Sequence, residues 1–125
     1  MKHFLTFLTI VFTMNMATAQ NSEYGSLAID ATNGNQYGWA VSYDTKAEAN
    51  KKAISECQKN GGNQCHTVLW FKGGCAVYVV ERGNPSLYGW GAADTRAEAE
   101  RIAKQEARAR GASDLVVRVW GCNDN

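Results

Sequence analysis

Histidine is nearly absent from this sequence: apart from His3 in the opening segment, His66 is the only one, which leaves few candidates for a general base near neutral pH. His66 follows Cys65, but neighbours in a strand point to opposite faces, so the two do not form a nucleophile–base pair. No G-x-S-x-G elbow surrounds Ser42, Ser55 or Ser113. The glycine pairs Gly61-Gly62 and Gly73-Gly74 read as turns rather than as a phosphate loop between a strand and a helix. Paired C-x-x-C clusters of the kind that hold zinc are missing too. These absences argue against a catalytic, cofactor-binding or metal site, and the expectation is a protein that is not an enzyme.

Net charge is also lacking. Without the opening segment, whose one counted charge is Lys2, twelve basic residues face twelve acidic ones. That balance excludes the basic excess that dominates nucleic-acid affinity and the polybasic cluster that holds a protein on an anionic membrane. Long apolar runs occur once, from Phe4 to Met14, after Lys2 and before the small-x-small site Ala17-Thr18-Ala19. A run this short followed by such a site reads as a cleaved signal peptide over residues 1–19 rather than a membrane span. The expected address is therefore the periplasm or the extracellular medium, and residues 20–125 form a single domain with no membrane span.

What is present is a repeat. "YGWAVSYDTKAEA" from Tyr37 returns as "YGWGAADTRAEA" from Tyr88, with one residue fewer between the Trp and the Asp. The register continues through Ala53 on Ala103, Glu56 on Glu106, Gly61 on Gly111 and Trp70 on Trp120. A match held over more than thirty positions makes the domain two copies of one unit, about 24–74 and 75–122. Each copy reads as strand, strand, helix, strand. "YGSLAID" and "CAVYVVE" open the copies with β-branched and aromatic residues, and "ATNGN" and "RGNPS" supply the turns. Thr45-x-x-Glu48 and Thr95-x-x-Glu98 read as capping boxes, which assigns their glutamates to helix starts rather than to catalysis. Ala49, Ala53 and Cys57, and then Ala99, Ala103 and Ala107, form a small-residue face on each helix. Gly38, Ala40 and Ser42 give the preceding strand a small face on which the helix can sit, with Tyr37, Trp39, Val41 and Tyr43 on the other. The fold class expected is α+β: duplicated ββαβ units, a mainly antiparallel sheet, two helices on one side and two disulfides.

Four cysteines allow three pairings. Cys57 and Cys65 align with Ala107 and Leu115, so both are lost together in the second copy, as expected of bonded partners. This favours Cys57–Cys65 and Cys75–Cys122, the latter expected to join the two units. Together, the YGW…T-x-AEA segments, "C-x-x-VLWF", "GGCAV" and the closing VW-x-C resemble the bacterial secreted family known as domain of unknown function 4189. The resemblance spans the mature chain and implies a small exported bacterial domain, with no established activity. Ala107 and Leu115 depart from the family's pattern, which often has cysteine there.

The aromatic residues are the remaining candidates. Alternation puts Tyr37, Trp39, Tyr88, Trp90 and Trp120 on the side away from the helices, either as a core between the copies or as a binding face. A neutral, disulfide-braced module of this kind is expected to bind an extracytoplasmic protein, for example as an inhibitor or an immunity-type protein. Two alternatives are a glycan- or peptidoglycan-binding module and a hydrolase whose site is not recognisable from the sequence.

Overall fold

The computed structural model describes residues 22–123. The expected signal peptide lies outside the described residues. The first copy contains β1 (Tyr24–Asp30), β2 (Tyr37–Tyr43), α1 (Lys46–Lys59) and β3 (Cys65–Lys72); the second contains β4 (Cys75–Glu81), β5 (Asn84–Ala93), α2 (Arg96–Ala109) and β6 (Leu115–Cys122). The α+β class, the ββαβ order and the antiparallel pairing are as read from the sequence. The strands divide into two three-stranded sheets, one per copy, ordered β2-β1-β3 and β5-β4-β6.

Two sheets form because each copy has two apolar faces to cover. On one face of the first sheet, Ala28 and Ala40 pack against Ala49, Ala53 and Cys57 of α1. In the second, Val77 and Val79 pack against Ala99, Ala103 and Ala107 of α2. The opposite faces meet each other, with Leu27 and Ile29 of β1 against Tyr78 and Val80 of β4. Each sheet therefore carries its own helix on one side and its twin on the other, so the helices cover the two outer faces instead of sharing one side of a single sheet, and the central strands β1 and β4 are almost wholly buried.

The small-residue faces are the helix seats. A Cβ on Gly38 would come within 1.8 Å of the Ala53 carbonyl oxygen, and one on Gly89 within 2.2 Å of the Ala103 oxygen. Helix and strand backbones are in contact there, so only glycine fits. The threonine half of each capping box is formed: Thr45 Oγ1 accepts from the Glu48 amide at 3.1 Å and Thr95 Oγ1 from the Glu98 amide at 3.3 Å. The Glu98 carboxylate turns outward to Arg101 instead of reaching back to the cap.

The one-residue difference between the copies is a β-bulge. Along β1 and β2 the pairing slips between Tyr24↔Tyr43 and Ser26↔Ala40, and Ser42 in that interval has a φ of 63°. The β4–β5 ladder runs through the equivalent place without a slip, from Cys75↔Ala93 to Val77↔Gly91. The extra residue turns Tyr43 to the helix side, where it joins Tyr24 at the edge of the α1 core, and not to the Trp39 side that strict alternation implies.

Both disulfides form, Cys57–Cys65 and Cys75–Cys122. Cys75–Cys122 does not join the units as expected. Cys75 opens β4 and is the cross-strand partner of Cys122 on β6, so this bond lies within the second sheet, as Cys57–Cys65 lies within the first copy. Beyond the chain itself, the copies are held to each other by noncovalent contacts, with no disulfide between them. One such contact is Asn123, which accepts from the Ser42 amide at 2.8 Å and donates to the Gly73 carbonyl at 3.2 Å.

Candidate functional site

The five aromatic residues of the candidate face do not share one surface. Tyr37, Trp39, Tyr88 and Trp90 line the seam between the sheets, half-buried around Tyr78 and Leu27. Tyr37 and Tyr88 meet the Tyr78 ring edge-on at centroid distances of 5.4 and 6.3 Å, and Tyr88 stacks on Trp90 at 5.7 Å. Tyr78 is fully buried, its hydroxyl donates to the Gly34 carbonyl at 2.6 Å, and burial pushes its pKa up. Arg110 lies over both Tyr88 and Trp90 and donates to the Tyr88 carbonyl.

Trp120 lies elsewhere, and the reason is a second bulge. The β4–β6 pairing slips between Tyr78↔Val119 and Val79↔Val117, leaving Arg118 as the extra residue. Val119 then faces the seam while Val117 and Trp120 turn to the helix side. Simple alternation places Trp120 beside Trp90; the bulge reverses that. The first copy has the same slip at Val68, which brings Trp70 to the equivalent helix side.

Two matching surface features result. Trp70 is 46% exposed and Trp120 45%, the exposed large hydrophobic residues among those described. Each indole lies under a cation from the first residue of its own copy's helix: Lys46 Nζ is 4.2 Å from the Trp70 ring and the Arg96 guanidinium 3.9 Å from the Trp120 ring. Trp70, although aligned with Trp120 in the repeat, is absent from the candidate face read from the sequence, and neither cation is singled out there. The signal that could have found them was the position of Lys46 and Arg96 directly after each capping threonine.

Several of the candidate chemical groups have structural partners. Cys65 is in a disulfide and His66 is exposed on β3. The Ser113 hydroxyl donates to Glu81. Asp30, nearly buried at 3% exposure, accepts from the Thr32 hydroxyl at 2.6 Å and from the Asn63 and Gln64 amides at 2.8 and 2.9 Å. Those bonds, the Thr32 hydroxyl foremost, hold its carboxyl well below the usual carboxylate range. Glu81, its counterpart in the second copy, accepts from the Ser113 amide in the same way and is also lowered. The two acids fasten the start of each last strand to the end of each first one. Because the folded-state pKa of Asp30 is depressed, its contribution is complete above the unfolded value of about 4 and is lost as pH falls toward the folded value. Melts of the wild type should therefore weaken below about pH 4, and Asp30→Asn should be less stable at pH 7 with a flatter acid limb.

Among the described residues, no group of three His, Cys, Asp or Glu side chains could hold a metal ion, and no helix is long and apolar enough to cross a membrane. The fold and its surface define a small disulfide-braced α+β domain built from a duplicated unit. The chain belongs to the family described as domain of unknown function DUF4189, whose model matches residues 24–122. No curated protein and no solved structure matches it.

Proposed function

We propose that this is a non-enzymatic binding domain that acts outside the cytoplasm by recognising another protein, in the manner of an inhibitor of a cell-wall enzyme or an immunity-type protein. The observation that carries this reading is the repeated exposed pair, Trp70 with Lys46 and Trp120 with Arg96. Tryptophan and arginine are enriched among residues that dominate protein interfaces. The cation over each ring lowers the entropy lost when the indole is fixed on binding. Two disulfides and a neutral balance suit a compact module exposed to an oxidising compartment.

The test is capture of a partner from a periplasmic extract by immobilised wild type, Trp70→Ala and Trp120→Ala. The substitutions should leave the melt within about 1 kcal/mol of wild type, while at least one weakens capture by about 2 kcal/mol or more. Undiminished capture by both variants would remove the tryptophans from the interface. Retention on purified insoluble peptidoglycan with no protein present would support the glycan-binding alternative. Hydrolysis of a cell-wall substrate, lost on changing one polar residue, would support the hydrolase.

A further inference from the structure

We infer a small carboxylate-binding site at the junction of the two copies, centred on Arg118. A cavity of about 280 Å³ is lined there by Asn35 of the first copy and by Val80, Glu81, Arg82, Pro85, Val116 and Arg118 of the second. It shares no lining residue with the exposed tryptophan pairs and does not depend on the reading proposed for them.

Arg118 is the extra residue of the β6 bulge, a feature that re-aims a side chain out of a ladder. Its position is fixed from the first copy: the Tyr37 hydroxyl donates to the Arg118 carbonyl at 3.3 Å, and the guanidinium donates to Asn35 Oδ1. Among the described residues Arg118 enters no ion pair, so its only hydrogen-bonded side-chain partner there is a neutral amide. A guanidinium has five N–H donors, and most of these remain for a ligand. The duplication supplies an internal control. Val68 stands at the equivalent bulge of β3, so the fold does not require an arginine there.

The other walls select the class of anion. Arg82 is paired with Asp114 at 3.1 Å. Glu81 is held ionised by the Ser113 amide and hydroxyl, and its fixed negative charge repels a doubly charged phosphate more strongly than a singly charged carboxylate. Val80, Val116 and Pro85 add an apolar wall. A singly charged carboxylate next to a small apolar group satisfies all of these, and the C-terminal residue of a peptide has that form. Arginine recognises carboxylates through paired N–H donors.

The test is a titration of isotopically labelled protein, followed by backbone amide shifts, with N-acetylalanine, with its uncharged amide and with inorganic phosphate. The inference expects saturable shifts at residues 80–83 and 116–119 with N-acetylalanine alone. It also expects binding to weaken by about tenfold or more in Arg118→Gln, which keeps a donor for Asn35, with an unaltered melt. Absence of saturable shifts, equal responses to acid and amide, phosphate binding as well as the carboxylate, or full binding by Arg118→Gln would each overturn it. If Arg118→Gln also lowers the melt, Asn35→Ala separates the roles. It removes the same contact between copies but leaves the guanidinium, so retained carboxylate binding supports the inference and its loss overturns it.

Discussion

Trp39→Ala should remove about 3–5 kcal/mol of stability, a large part of the roughly 5–15 kcal/mol that holds a small domain folded. Trp39 faces the other sheet across the seam. It pairs across β1 with Leu27 and tilts on Phe71 at a centroid distance of 5.8 Å. On the other side, a Cβ added to Gly121 of β6 would come within 2.8 Å of the indole nitrogen. That glycine makes room for the ring, so truncating the indole leaves a cavity between two rigid backbones that cannot close on it. Trp90 should lose less, because although it also packs on the seam cluster, part of its ring is covered only by a stacked tyrosine and the overlying, exposed Arg110. Trp70→Ala and Trp120→Ala should each change stability by less than about 1 kcal/mol, since both rings already face water. Urea melts of the four variants give the order. An unaltered melt for Trp39→Ala would mean that the seam does not hold the copies together.

The parts of this fold legible in the sequence are those set by local pattern. Helix starts were marked by Thr45 and Thr95, and helix seats by Gly38, Ala40 and the alanines spaced four apart. The repeat carried the pairing of the cysteines, because Cys57 and Cys65 vanish together. Everything that depended on counting along a strand past a bulge was hidden. A single extra residue reverses the facing of all that follow, so Tyr43 and Trp120 moved to the helix side although their spacing from Trp39 and Val116 is correct for a regular strand. The bulge in β2 did leave a trace in the sequence, as the one-residue gap between the copies. The bulges in β3 and β6 left none, since both copies have them and the alignment runs straight through. The candidate face was therefore divided: four rings lie in the seam, while Trp120 pairs by position with Trp70, which alternation alone did not single out.

Removing the Cys75–Cys122 bond should cost more than removing Cys57–Cys65, and the repeat shows what each bond replaces. The bonds close separations of 47 and 8 residues. In the chain-entropy model these correspond to about 4 and about 2.5 kcal/mol. Each copy lacks the other's disulfide and fills the place without it. Ala107 and Leu115 stand where Cys57 and Cys65 would fall, packed in the α2 core, and Tyr24 faces Lys72 where the second copy has Cys75 facing Cys122, with the Lys72 ammonium 5.8 Å from the Tyr24 ring. Cys57→Ala with Cys65→Leu therefore copies a solution the fold already uses, and its loss should fall below the entropic figure because the new side chains pack. Cys75→Tyr with Cys122→Lys copies the other solution, yet a surface cation–π pair returns only about 0.5–1 kcal/mol, so most of the loss should remain. The measurement is urea unfolding of the two double variants beside the oxidised wild type. Equal losses, or a larger loss at Cys57–Cys65, would show that packing of the buried Cys57 sulfur outweighs loop length in this domain.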